Sequence, residues 1–314
     1  MAGAAAPGNP SGPMSDAVLL MAYGSPETLA DVERYYTHIR GGRRPSPELL
    51  AELIGRYRAI GGRSPLGEIT RRQAAALEGR LRERGLQAPV RVGMKHSPPF
   101  IADVVAQLGD ERIRRAVGLV LAPHYSRLSV GAYIEAAERA RPATLQMTYV
   151  ESWHDHPGFL VSTAARLGET MNRFTEDPFV LFTAHALPER ILSWQDPYPD
   201  QVRGSAQAAA GLAGVARWDV AFQSAGRTAE PWLGPDLGTV LSRLRDQGER
   251  AVVICPIGFV ADHLEVLYDI DVEAQAQARE LGLRLARTAM PNDAPDFIAA
   301  LADLVAGRLA EQVR

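Results

Sequence analysis

The chain reads as an α/β protein made of two similar halves, each built on a small parallel sheet. Three observations predict this. Short apolar runs end in turn residues, as buried parallel strands do. The first run of each half closes on a related motif: Leu-Leu-Met-Ala-Tyr-Gly-Ser-Pro-Glu around Tyr23 and Leu-Phe-Thr-Ala-His-Ala-Leu-Pro-Glu around His185. Each half then repeats the same order of four strands, the mark of a duplicated architecture.

The remaining runs of the first half end at Met94-Lys95-His96, at Leu121-Ala122-Pro123-His124 and near Val150-Glu151. Those of the second half end at Phe222-Gln223-Ser224, at Ile254-Cys255-Pro256-Ile257 and near Thr288. Ligands of doubly wound sheets gather beyond the carboxyl ends of the strands. Tyr23 and His185 are therefore expected to face each other across a cleft. His96 and His124, also at strand ends, are expected to line it or to serve as structural histidines.

Tyr23 and His185 are 162 residues apart, whereas Pro123 and Pro256 are 133 apart, so the first half carries 29 extra residues within Asp31 to Pro65. That insert reads as helix, turn, helix. Val32, Tyr35, Tyr36 and Ile39 recur at helical spacing, and Gly41-Gly42 stops the first helix. Pro47 opens a second helix, with Leu49, Leu50, Leu53, Ile54 and Tyr57 on its apolar side, and Gly61-Gly62 closes it. From the insert alone, a solvated hairpin is the simpler reading; the other is a lip over a flat, anionic ligand.

In the second half, the segment Gly258 to Asp269 is expected to open a helix. Glu265, Asp269 and Glu273 fall four residues apart on one face. Such a ladder is either a solvated acidic face or a path for a divalent cation, held by weak, fast-exchanging oxygen ligands. Glu265 fits the solvated face least, because Leu264, Val266 and Leu267 surround it. Helical spacing turns His263 away from Glu265, making it a weaker candidate than His185. His38, His154 and His156 read as surface or turn residues.

The 314 residues, 46% of them hydrophobic, suffice for one large or two medium cores, and a net charge of −3 gives no general attraction to nucleic acid. Lys95 is the single lysine, an imbalance that codon bias explains, yet it lies between a strand end and His96. Cys255 is the single cysteine, so neither an internal disulfide nor a four-cysteine zinc or iron–sulfur site can form. Its apolar neighbours predict an inert core thiol. No apolar run has the length of a membrane span. Residues 1–15 read as a disordered tail, with Met14 a second candidate start. Residues 16–152 are expected to form the first domain, with the lip at 31–65, and residues 153–314 the second, its last helix packing back on the first. A cytoplasmic location is expected.

Several segments together resemble the ferrochelatase family, in its coproporphyrin branch. Met-Ala-Tyr-Gly-Ser-Pro-Glu at 21–27, Glu-Arg-Tyr-Tyr-Thr-His-Ile-Arg at 33–40 and Arg-Tyr-Arg-Ala-Ile-Gly-Gly-Arg-Ser-Pro-Leu at 56–66 look like its first strand, lip and following segment. Thr-Ala-His-Ala-Leu-Pro-Glu at 183–189 resembles its catalytic-histidine motif. Asp-Pro-Tyr-Pro-Asp-Gln at 196–201, Gln-Ser at 223–224, Pro-Trp-Leu-Gly-Pro-Asp at 231–236 and the stretch 258–269 are similar too. The match runs in order from about residue 16 to the C-terminus.

The resemblance implies the chelatase fold: two Rossmann-like domains with a porphyrin cleft between them. It implies a lyase of haem biosynthesis that inserts ferrous iron into coproporphyrin III. By position it makes His185 and Glu265 the metal and proton-handling pair, with Tyr23 an axial ligand of the inserted iron. It gives Arg40, Arg56, Tyr57, Ser64 and Tyr133 to the porphyrin and its carboxylates. Asp269 and Glu273 would form the outer metal path. Gly41 stands where relatives often carry a second arginine, which weakens one propionate contact, and Ser25 stands where threonine is usual. No cofactor is required, no iron–sulfur cluster is expected, and a later enzyme of the haem pathway is the expected partner.

The residue types suit that chemistry. Two pyrrole protons must leave as the metal enters, and histidine, with an ordinary pKa of about 6.5, accepts protons near neutrality. A carboxylate beside it can offset the new charge or hold the metal. The arginines of the lip suit a ligand with more carboxylates, which favours coproporphyrin over protoporphyrin. The alternatives are a protoporphyrin IX ferrochelatase, a chelatase for cobalt or nickel and another tetrapyrrole, a non-enzymatic porphyrin carrier, and a periplasmic-type binding protein, against which the lack of a signal peptide speaks.

Overall fold

The computed structural model of the protein describes residues 16–111 and 113–311. The expected tail at 1–15, Met14 included, lies outside the described residues. The first sheet contains β1 (Asp16–Ala22), β2 (Val90–Met94), β3 (Arg115–Val120) and β4 (Gln146–Val150), in the order β2-β1-β3-β4. The second contains β5 (Phe179–His185), β6 (Trp218–Gln223), β7 (Ala251–Cys255) and β8 (Arg284–Arg287), in the order β6-β5-β7-β8. All pairings are parallel. The two orders are the same once the halves are superposed in sequence, and the strands end at or near the expected run ends.

The central strands are buried on both faces, and successive side chains join opposite layers with the period of two that a pleated strand imposes. Val18 and Leu20 of β1 face α3 (Leu66–Glu83), through Ala74, Leu77 and Leu81. Ala17, Leu19 and Met21 face the opposite layer, which includes α4 (Ile101–Asp110) and α5 (Val130–Ala140). In the second half, Val180 and Phe182 of β5 join the same core as Val18 and Leu20, while Leu181 faces α8 (Leu237–Asp246) and α9 (Gln275–Leu281). One core therefore runs through both halves. It is completed by α6 (Pro157–Met171), α7 (Tyr198–Ala213) and α10 (Pro295–Glu311). The last helix packs on α3 and α6 and touches β3 and β4 of the first sheet.

The insert forms α1 (Val32–Ile39), entered through a 3-10 turn at Leu29–Asp31, and α2 (Pro47–Ala59). Pro47 opens α2 and the Ser46 hydroxyl accepts from the Leu49 amide at 3.4 Å, satisfying one of the free amides of the first turn. Gly41, Gly42, Gly61 and Gly62 all have positive φ, the conformation that ends a helix cheaply only at glycine. The solvated-hairpin expectation is corrected here. Val32 and Tyr57 are buried and pack against Leu264 of the second half, with Tyr268 alongside, because the apolar side of α2 meets that surface rather than water.

The acidic segment is helical but not α-helical. Glu265–Ala274 is a π-helix that continues into α9. Its wider turn still keeps residues four apart on one face. Among the described residues, no helix is long and apolar enough to cross a membrane.

Candidate active site

The carboxyl ends of both sheets open on one cleft of about 1130 Å³. Tyr23, His185 and Glu265 line it. So do Arg56, Tyr57, Ser64, Tyr133, Asp269 and Glu273. Arg40 stands at the end of α1, its guanidinium 5.6 Å from the ring of Tyr36, which does line the cleft.

His185 is the last residue of β5 and pairs in register with Gln223 of β6. Its Nδ1 bonds the carbonyl oxygen of Ala186. A carbonyl only accepts, so Nδ1 is the donating nitrogen, and Nε2 is left as the one that can accept a proton. That Nε2 lies 3.6 Å from Oε1 of Glu265. Tyr198 donates its hydroxyl to the His185 carbonyl at 2.9 Å, which fixes the strand end from α7. Gln223 donates to the Glu265 carbonyl at 3.0 Å and ties the start of the π-helix to β6.

His263 corrects the sequence expectation. Its Nε2 lies 3.7 Å from Oε2 of Glu265, opposite His185. Helical spacing does not apply to it, because the helix begins after it and the ring is turned by a 3.0 Å contact between Nδ1 and the Ala261 carbonyl. Burial opposes a charge on His263, but the hydrogen bond and charge of Glu265 outweigh it and raise its pKa. For Glu265, burial pushes upward, yet His185, His263 and Arg56 together hold its carboxyl down at about 2. Glu265 is therefore ionised between two imidazoles.

Asp269 is nearly buried and bonds Arg56 and the hydroxyl of Ser224. Burial pushes its carboxyl up to about 6, against the pull of Arg56. Arg56 is further held with its guanidinium 4.6 Å from the Tyr268 ring. Arg56, Ser224 and the two histidines thus relieve the repulsion between Glu265 and Asp269, while Glu273 is exposed. Ser224 holds a left-handed backbone (φ 62°), which costs a non-glycine residue roughly 1 kcal/mol and aims its hydroxyl at Asp269.

Across the cleft, the Tyr23 ring lies 4.6 Å from that of His96, and His38 of α1 reaches His96 with an Nδ1–Nδ1 separation of 3.0 Å. His38 is exposed, as its reading as a surface residue has it, and also reaches the cleft wall. Shielding by the cleft and the charge of Glu265 raise the Tyr23 hydroxyl pKa, so it is a neutral phenol. Burial, then Lys95 and His38, hold His96 down at about 3. Lys95 sits with Nζ 4.9 Å from the ring of buried Tyr133, and burial lowers its pKa. The Ser64 hydroxyl accepts from the Leu66 amide at 3.3 Å at the start of α3. His124 is buried against Ser205 Oγ at 3.0 Å, and His154 lies in a turn on Ser152. Cys255 is buried, and burial pushes its thiol up to about 12, as an inert core thiol requires.

Sequence reasoning missed Tyr198, Ser224 and Gln223 as individual supports, and misjudged His263. Only its place two residues before Glu265 hinted at the contact. Among the described residues, no group of three or more His, Cys, Asp and Glu side chains forms a ready-made metal cage.

The family model for Ferrochelatase matches residues 15–309. The chain is 46% identical over 301 residues to the coproporphyrin III ferrochelatase of Bacillus subtilis (strain 168), covering 93% of this chain and 97% of the relative. It is 44% identical over 300 residues to a ferrochelatase of Herpetosiphon aurantiacus, covering 93% and 98%. Among solved structures, the sirohydrochlorin chelatase SirB from Bacillus subtilis subspecies spizizenii, in complex with cobalt, superposes with a TM-score of 0.55 at 13% identity, over 93% of this chain and 94% of that one. At that identity the likeness is one of fold.

Proposed function

This chain belongs to the ferrochelatase family, and on that premise we propose that its cleft inserts ferrous iron into coproporphyrin III, releasing two protons in a step of haem biosynthesis. The observation that carries this is the convergence of two acceptors. Nε2 of His185, the nitrogen left able to accept because Nδ1 donates to Ala186, and the ionised Oε1 of Glu265 stand 3.6 Å apart. Such a pair is completed by a proton or a cation arriving between them.

The reaction breaks two pyrrole N–H bonds and forms metal–nitrogen bonds, with no change in electron count, so it calls for no resident redox cofactor. His185 accepts the two pyrrole protons one after the other at Nε2 and passes each to water in the open cleft, since its Nδ1 proton is held by the Ala186 carbonyl. Glu265 stays ionised and offsets the imidazolium, or takes the incoming iron on its free oxygen. His263 steadies the other Glu265 oxygen. Asp269 and Glu273 extend the acid ladder outward as a path for iron. Tyr23, on the far wall, offers a neutral oxygen as axial ligand to the inserted metal. Arg40, Arg56, Tyr57, Ser64 and Tyr133 hold the macrocycle and its carboxylates. The work is cytoplasmic, and the product passes to a later enzyme of the pathway.

His185→Ala tests the assignment. Loss of the base should lower the metallation rate by about 10²–10⁴-fold, while an absorbance titration shows that coproporphyrin III still binds. Near-normal turnover would move the base to His263 or Glu265.

A further inference from the structure

The cleft wall carries four strongly basic side chains: Arg56, Lys95, Arg190 and Arg227. Each is engaged, but not equally. Lys95 lies over the buried Tyr133 ring. Arg56 holds Asp269 with side-chain exposures of 25% and 8%, so removing Arg56 strands a buried carboxyl. Arg190 holds Glu230 and also lies 6.0 Å from the Trp194 ring. Arg227 holds Glu52 of α2, with side-chain exposures of 69% and 37%. An exposed pair of this kind contributes little, and Glu52 released from it returns to water at no desolvation cost. Of the four cations, Arg227 is the one most easily handed from its protein partner to a ligand.

Arg227 is also well placed. It lies in the loop between β6 and α8, which is pressed onto Trp232. A Cβ on Gly226 would come within 2.4 Å of the indole, and Trp232 Nε1 donates to Thr228 Oγ1 at 3.0 Å. The loop therefore presents a flat ring and a guanidinium side by side on one wall, with Glu52 facing them from the lip. A planar macrocycle with carboxylates at its rim matches that combination.

We propose that Arg227 binds one rim carboxylate of the tetrapyrrole, exchanging Glu52 for the substrate as the ring enters. This rests on the proposed function for the identity of the ligand. Glu52 then acts as a competitor that occupies Arg227 while the cleft is free. The two members of this ion pair have opposite effects on the ligand, which a simple latch between lip and second half would not produce.

The experiment is a binding cycle on the full chain, titrating coproporphyrin III by absorbance into wild type, Arg227→Gln, Arg227→Lys, Glu52→Gln and the double variant Glu52→Gln/Arg227→Gln. Arg227→Gln should weaken binding by about five- to tenfold. Arg227→Lys should lose about twofold, because the charge remains and the fork does not. Glu52→Gln should tighten binding by about twofold. In the Glu52→Gln background, Arg227→Gln should still weaken binding by at least about fivefold. An unchanged affinity in Arg227→Gln overturns the proposal. So does a shift of both single variants in the same direction, or loss of the Arg227 effect once Glu52 is neutral, since each means that the pair is only a latch. Metallation is followed in the same samples. If the binding pattern holds without metallation, the function fails and the carboxylate site stands; if metallation holds without the pattern, the reverse is true.

Discussion

Asp269 places a nearly buried carboxyl between Arg56 and Ser224, and burial wins over the cation: its folded pKa is raised from 3.8 to about 6. An acid raised on folding stabilises the fold only where it is protonated. That contribution is complete below about pH 4 and is lost as pH rises through about 6. Asp269→Asn keeps the neutral shape at every pH. Thermal unfolding should therefore show the variant more stable than wild type at pH 8, by about 2–4 °C, with the gap closing toward pH 4. A variant less stable at pH 8 would mean that the Arg56 pair outweighs burial. None of this was legible in the sequence. The resemblance gave Arg56 to a substrate carboxylate, and its bond to Asp269, 213 positions away, could not be read from it. His263 was judged by a helical spacing that starts only after it. Side-chain identity was readable at these positions; partners brought together from distant segments were not.

The elements were more legible, and for physical reasons. A parallel strand buried on both faces must be an unbroken apolar run, so its end is visible where the run stops. A helix that ends in left-handed backbone needs glycine, and Gly41-Gly42 and Gly61-Gly62 mark both stops of the lip. The π-helix was hidden because acids four residues apart share a face in either helix type. The close approach of the segment after β7 to β5 was hidden too. A Cβ on Gly258 would lie 2.6 Å from Ala184 Cβ and 2.7 Å from Ala184 Cα, one residue before His185. Only a residue with no side chain lets that segment carry His263 and Glu265 up to the strand end. Gly258→Ala should therefore cost about 1–3 kcal/mol of stability. It should also reduce kcat by up to about 10²-fold, because the His185–Glu265 geometry must shift. Wild-type kcat in a folded Gly258→Ala protein would show that the strand end has slack that the contacts do not suggest.

At the scale of the whole molecule, the duplication was legible from the Tyr23 and His185 motifs, and the two sheets share one strand order. How the halves are joined was not. Asp196 accepts from Ser126 Oγ at 3.0 Å and the Arg127 amide at 2.8 Å, and Gln201 accepts from the Tyr125 amide at 2.6 Å and Ser152 Oγ at 3.0 Å. These ties, with the common core and the last helix, fix the distance between the Tyr23 wall and the His185 wall. The lip packs on the second half, brings Arg56 to the wall of the same cleft and sets Arg40 beside the cleft residue Tyr36. That arrangement suits a macrocycle rich in carboxylates, with its metal face toward Glu265. The most direct measurement is anaerobic metallation, followed by absorbance, with ferrous iron and either coproporphyrin III or protoporphyrin IX under identical conditions. The predicted result is turnover with the higher kcat/KM for coproporphyrin III. A higher kcat/KM for protoporphyrin IX, or binding of either ring without metal insertion, would contradict it.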